Sequence, residues 1–251
     1  MNTFGNNTTK LTHELNFHNQ LTNQLFKALH SRDSENALRE MDDTGTLTTI
    51  IPELETGRNF IQPTLHYYDV LNHNLCTVGA FDRLLKQNDW SNIFRKTINW
   101  DEISTLLEKK IDGLPIEVLL RLGCLLHDVG KPESAIEKNG RIIFPKHGLI
   151  GAELISSRLE EIGLEASSRK FVRLLIRYHL RAGRLAQSWP PPKQSIQSFL
   201  QDVEGWVIPI LLIQLADGMA TKGPYQTLDR HYRYCEFFAR ILKLCNLNTS
   251  G

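Results

Sequence analysis

The segment Leu122–Pro132, LGCLLHDVGKP, most constrains this chain. It is an apolar helical run that ends in adjacent His127 and Asp128 before a Gly130-Lys131-Pro132 stop. The run has to be buried, and it carries an imidazole and a carboxylate inward with it. A buried ionisable group needs a partner, because desolvating it alone costs several kcal/mol. One reading is local: a hydrogen-bonded His at a helix C-terminus, with Asp as a cap. The other is a metal ion, the partner that imidazole and carboxylate share. Neighbours on a helix point about 100° apart, so both reach one ion only if it sits near the helix end.

Two further segments repeat the problem. His73 lies in VLNHNLCTV, and Asp217 interrupts the apolar run LLIQLADGMA. Each alone is read most simply as a core residue with a backbone or side-chain partner. Three separate apolar helices, each bringing a ligand type to its core face, point to convergence. Together they offer two imidazoles and two carboxylates, a set suited to Zn, Mn, Fe, Ni or Co, with Mg also admissible.

The rest of the chain reads as helix with little else. Apolar spacing marks Leu11–Leu29, Tyr68–Gln87, Pro115–Val129, His147–Ile162, Ser167–Arg181, Val207–Ala220 and Thr227–Leu244. Residues 1–10 read as disordered. Met41–Glu55 reads as a short helix interrupted at Gly45 and Pro52, and Trp189-Pro190-Pro191-Pro192 as a loop. Asn139-Gly140 between AIEK and RIIF is a tight-hairpin signal and the one convincing strand feature. The expected fold is therefore all-α, a helical bundle with one small β-hairpin. The expected division is an N-terminal helical extension, residues 1–60, packing on a core domain of residues 61–251.

The net charge of +1 supplies no global field toward nucleic acid or membrane, so any RNA affinity must be local. Cys76, Cys124, Cys235 and Cys245 form no C-x-x-C pair, and Cys76 and Cys124 read as buried reduced thiols. No secretory signal is visible, and the longest apolar stretch, near Trp206–Ala216, is too short to span a bilayer. A cytoplasmic protein without a membrane partner is expected.

The order His73, His127-Asp128, Asp217 resembles the HD phosphohydrolase superfamily. PELE (52–55), YDVLNH (68–73), LLHDVGKPES (125–134), GRIIFPKHGLIGAELI (140–155) and LADGMATKGP (215–224) resemble more closely the HD region of bacterial tRNA nucleotidyltransferases and poly(A)-polymerase-like proteins. The resemblance covers about residues 40–225. It implies a helical bundle with one or two divalent metal ions at its centre, His73, His127, Asp128 and Asp217 being the ligands of the first. His147 and His179 match the extra histidines of two-metal members, in which Asp128 would bridge the ions. Nothing in residues 1–60 resembles the nucleotidyltransferase head, so CCA addition is not expected.

The implied chemistry is phosphoester hydrolysis of nucleotides or RNA phosphate ends, with tRNA among the candidate partners. Asp128 and Lys131 are the candidate catalytic groups; Lys131, Lys146 and Arg184 are the candidate phosphate contacts. Lys131 is equally readable as a solvated C-terminal lysine favoured by the helix dipole. His66, Asp69 and His73 share i, i+3, i+7 spacing; Asp69 then orients a ligand or, as the reading leans, caps a helix. Arg169, Arg173, Arg177 and Arg181 form a basic stripe, with Arg177 and Arg181 about 160° from His179. That favours a solvated face, or a track for RNA phosphates, over a part of the centre. The alternative function is a non-catalytic RNA- or tRNA-binding module that keeps the metal as a structural staple.

Overall fold

The computed structural model describes residues 19–62, 66–86, 100–185 and 191–225, together with 236, 239–241 and 243. Helix α1 covers residues 19–30. It is followed by α2 (Ser34–Asp43), α3 (Thr46–Ile50), a 3-10 turn at Pro52–Gly57, and α4 (Val70–Leu85). Next come α5 (Trp100–Glu108), a two-stranded hairpin of β1 (Lys110–Ile111) and β2 (Leu114–Pro115), and α6 (Ile116–Leu126). The short α7 (Lys131–Ser134) leads into a second hairpin, β3 (Ile136–Lys138) and β4 (Arg141–Ile143). Helices α8 (His147–Leu154), α9 (Ser156–Glu161), α10 (Ala166–Tyr178), α11 (Arg181–Leu185), α12 (Lys193–Asp202) and α13 (Val207–Ala220) complete the bundle.

Helices α4, α6, α10 and α13 form the centre. In α6 every residue but Glu117 is buried, and in α13 nearly all are, including Pro209 in the first turn, where proline is tolerated. Helix α4 packs most heavily on α13, then on α6. On the other side α10 packs against α6 and α8. Helix α8 approaches unusually closely. A Cβ at Gly148 would lie 2.8 Å from the Ile176 carbonyl oxygen, and one at Gly130 would lie 2.4 Å from the Gly151 backbone nitrogen. Only glycines let the His127-Asp128 turn, α8 and the end of α10 meet this tightly.

The N-terminal helices share the same apolar core: Leu25, Leu29, Leu38, Leu47, Ile50 and Ile51 all belong to it. Their junction is polar and buried. The α2 N-terminus is capped from a distance, Ser34 N–H donating to Asp82 Oδ2 at 2.9 Å. Asp82 in turn accepts from Arg121 Nε at 2.8 Å, and Arg121 Nη1 donates to the Leu29 carbonyl at the end of α1.

The all-α expectation holds, with corrections in detail. Among the described residues there are two small hairpins rather than one. Asp112 and Gly113 turn β1 into β2 with φ of 49° and 82°, the same left-handed pair that Asn139 and Gly140 adopt at 53° and 69°. The His147–Ile162 helix is two helices that meet at Ile155. Helices α2, α5 and α12 were not anticipated, although Ile196, Phe199 and Val203 of α12 and its end are buried at helical spacing. Residues 1–18, the tip of the expected Tyr68–Gln87 helix, Trp189-Pro190 and most of Thr227–Leu244 lie outside the described residues.

Candidate metal centre

Each candidate ligand reaches the centre from a different element. His73 lies one turn into α4, whose start is fixed by Asp69: its side chain accepts from Asn72 N–H at 2.7 Å. Asp69 is thus a helix cap, the structural reading, and it also accepts from the Asn59 backbone at 2.9 Å. Because α4 begins at Val70, His66 precedes the helix and does not share its face. Its ring nevertheless packs edge-on against His73, with 5.2 Å between centroids. His127 caps the C-terminus of α6, with Asp128 in the following turn. His147 opens α8, His179 closes α10, and Asp217 lies within α13.

These side chains converge. His73 Nε2 lies 3.0 Å from Asp217 Oδ1 and 3.5 Å from Asp128 Oδ2. His127 Nε2 lies 3.2 Å from Asp128 Oδ2 and 3.8 Å from Asp217 Oδ1. On the other oxygen of Asp128, His147 Nε2 lies at 3.3 Å and His179 Nε2 at 3.7 Å, the two rings' Nε2 atoms being 3.2 Å apart. Asp128 thus shows one oxygen to His73 and His127 and the other to His147 and His179. Two overlapping ligand groups result, His73–His127–Asp128 and Asp128–His147–His179, with Asp217 reaching His127 and His179 in a third.

Three histidines are aimed by one device. Their Nδ1 atoms lie 2.7–2.9 Å from the carbonyl three residues earlier: His127 on Cys124, His147 on Phe144, His179 on Ile176. A carbonyl only accepts, so Nδ1 carries the proton and the Nε2 lone pair is left for the centre. Among the described residues, Asp128 Oδ1, Asp128 Oδ2 and His127 Nε2 are buried without a hydrogen bond of proper geometry. Buried polar atoms are rarely left so, and a cation among them would satisfy all three. The donor set therefore fits a divalent metal.

The electrostatics favour a cation too. Burial works against charge on His127, yet Asp128 and Asp217 outweigh it and push its pKa up to about 10. Burial likewise opposes charge on Asp128, but His127 and Lys131 hold it well below the usual carboxylate range. At two other histidines burial wins over the carboxylates. His179 is pushed down to about 3 by burial and then by His127 and His147, and His66 to about 4 by burial and then by Lys131.

Lys131 is not a solvated lysine. Only 5% exposed, its Nζ lies 2.5 Å from Asp128 Oδ2 and donates to Gln62 Oε1 at 2.6 Å. Gln62 was missed by sequence reasoning; a lone glutamine in a loop gives no signal. Lys146, exposed, and Arg184 lie on the wall of a cleft beside His147 and His179 rather than against Asp128. The arginine stripe is largely neutralised: Arg169 pairs with Glu160, Arg173 with Glu153 and Arg181 with Asp202. Arg177 stands apart from these pairs, facing outward on the same cleft wall as Lys146 and Arg184.

A buried histidine–aspartate cluster at the centre of a helical bundle defines the class, a helical domain with a candidate metal centre. Residues 102–220, a little under half of the chain, match the HD domain family model. The match includes the HD dyad and Asp217, and His73 comes before it. The chain is 24% identical over 225 residues to the A-adding tRNA nucleotidyltransferase of Deinococcus radiodurans, covering 89% of this chain and 44% of the relative. It is 27% identical over 175 residues to the bifunctional uridylyltransferase/uridylyl-removing enzyme of Cereibacter sphaeroides, covering 68% of this chain and 16% of that protein. The enzyme of the same name from Ruegeria pomeroyi is 27% identical over 156 residues, 61% of this chain and 15% of its own. The chain spans less than half the length of these curated relatives. No single helix among the described residues is long and apolar enough to cross a membrane.

Proposed function

We propose that this chain is a divalent-metal-dependent phosphohydrolase acting on nucleotides or RNA phosphate ends. The observation that carries the reading is the convergence of four imidazoles and one further carboxylate on the buried Asp128. His73, His127, Asp128 and Asp217 would hold one ion; His147 and His179, with Asp128 shared, would hold a second. Imidazole and carboxylate donors suit Mn, Ni, Co, Fe or Zn, with Mg admissible. Bound there, the metal would supply Lewis acidity toward a phosphoryl oxygen and an activated water.

The chain's own residues do the remaining work. Asp128 orients the site from both of its oxygens. Lys131, steadied by Gln62, is placed to neutralise charge on the reacting phosphate, which is most of what phosphoryl transfer asks of a protein. The i−3 carbonyl contacts keep three Nε2 lone pairs pointed inward through turnover. Lys146 and Arg184 would meet the parts of the substrate beyond that phosphate. Within this reading residues 1–60 are a helical extension and 61–251 the hydrolase domain, in a cytoplasmic protein. Free, buried Cys76 and Cys124 are consistent with a reducing compartment.

The relatives' names speak of tRNA and uridylyl groups, which supports a nucleotide or RNA substrate. The alternative, a non-catalytic RNA- or tRNA-binding module with a structural metal, draws on the arginine stripe and on the lack of resemblance to a transferase head; three of the stripe's four arginines are taken up by acidic partners. The test is hydrolysis of bis-p-nitrophenyl phosphate with Mn or Ni by wild type and Asp128→Ala. Metal-dependent turnover lost in the variant supports the hydrolase. Absence of turnover from metal-loaded wild type, with tRNA still retained at moderate salt, would move the assignment to the binding module.

A further inference from the structure

Charge is distributed unevenly over the α8–α10 face. The cleft lined by Ala152, Arg169, Lys170, Arg173 and Arg177 has four cations, and Glu160, Glu204 and Glu153 neutralise all but Arg177, which also lines the next cleft. One turn further along α10 the pattern changes. A cleft of about 300 Å³ runs beside the His147 and His179 rings, walled by Lys146, Leu149, Arg177, Tyr178, Arg181 and Arg184. Arg181 is occupied by Asp202 at 2.7 Å and Ser198 at 2.8 Å. Lys146, Arg177 and Arg184 are exposed and make no ion pair among the described residues, the Arg177 guanidinium lying near the Tyr178 ring, 5.4 Å from its centroid. Three like charges gathered on one cleft repel each other, at a cost that an anion in the cleft would remove.

The geometry points to a second-phosphate subsite, which rests on the hydrolase reading above. The cleft takes a phosphate or phosphodiester group of the same substrate, one or more units away from the phosphate that reacts at Asp128. Guanidinium forks match phosphate oxygens in pairs, and a lysine adds a point charge. Tyr178 and the half-exposed Leu149 on the wall offer apolar surface to the sugar between the two phosphates. The substrate class is thereby narrowed to molecules with at least two phosphates, either an RNA end or a nucleoside polyphosphate, rather than a simple phosphomonoester. Arg177 joins Lys146 and Arg184 as a specificity-determining residue.

The experiment compares wild type, Arg177→Gln, Arg184→Gln and the double variant. Three probes are used: p-nitrophenyl phosphate, a nucleoside 5′-diphosphate and a 3′-phosphorylated trinucleotide. Binding is measured by calorimetry on metal-free protein, so that hydrolysis does not intervene. The double variant should lose about tenfold or more in affinity for a two-phosphate probe relative to the one-phosphate probe. Its log Kd for the trinucleotide should also respond less steeply to log salt, by about 0.7 per cation removed. Loss confined to the trinucleotide identifies a nucleic-acid end, and loss confined to the diphosphate identifies a nucleoside polyphosphate. Unchanged affinities, or the same fractional loss for all three probes, would overturn the subsite. Parallel turnover assays on metal-loaded protein separate the two claims. Selective binding loss without turnover removes the hydrolase and leaves the subsite, whereas turnover with unaltered binding ratios removes the subsite alone.

Discussion

Replacing Arg121 with Met tests how the N-terminal helices are held to the metal-bearing core. Arg121 and Asp82 are nearly sealed, with side-chain exposures of 6% and 4%. The guanidinium meets three acceptors: Asp82 Oδ1 at 2.8 Å, Glu117 Oε1 at 2.5 Å and the Leu29 carbonyl at 3.0 Å. Methionine keeps the aliphatic stem and deletes the head. Asp82 is then a buried carboxylate whose remaining partner among the described residues is Ser34, and the Leu29 carbonyl at the end of α1 loses its donor. Breaking one side of a buried pair costs about 3–5 kcal/mol. At about 2–4 °C per kcal/mol for a chain of this size, Tm should fall by about 6–20 °C in differential scanning calorimetry. The double variant Asp82→Asn/Arg121→Met removes the stranded charge and still offers Ser34 N–H an acceptor, so it should recover part of the loss. A Tm within about 2 °C of wild type for Arg121→Met, or a double variant as unstable as the summed single variants, would refute the reasoning.

Elemental analysis checks the shared role of Asp128. Wild type should carry two ions per chain, His147→Ala or His179→Ala one, and Asp128→Ala none. Lys131→Met should lower kcat/KM by about 100-fold, the scale of one charge-stabilising donor, without changing metal content. Asp112, in the β1–β2 turn, accepts from Ser168 N–H at 2.7 Å in the first turn of α10, and that bond holds its pKa below the usual value. A depressed carboxylate stabilises the fold above its unfolded pKa and loses that effect as pH falls through its folded one. Asp112→Ala should therefore lower Tm at neutral pH, and the difference from wild type should narrow in acid to the part set by alanine at a left-handed φ of 49°.

Much of the centre was legible because burial makes charge expensive. An Asp in the middle of LLIQLADGMA, and a His-Asp pair ending LGCLLHDVGKP, can be tolerated inside a bundle only if they find one another or a cation. Residues 73, 127, 128 and 217 could be gathered from that cost and from resemblance together. The Asp112-Gly113 hairpin is equally legible, since it carries the same signal as Asn139-Gly140. Helix α12 shows its period in Ile196, Phe199 and Val203. Each of these is local, and local pattern is what a sequence displays.

What only the tertiary structure decided depends on distance between segments far apart in the chain. Which oxygen of Asp128 faces which histidines follows from α8 and α10 closing over glycines 130, 148 and 151. Gln62 reaches Lys131 across 69 positions in a loop with no period to read. The arginine stripe is regular in sequence, yet whether each guanidinium is spent or bare depends on Glu153, Glu160 and Asp202, brought up by other elements. Sequence determined which groups must be buried and cannot be left alone, because that cost belongs to the residue and its immediate neighbours. Their partners were decided by packing, because Coulomb and hydrogen-bond energies depend on separations that only the folded chain sets.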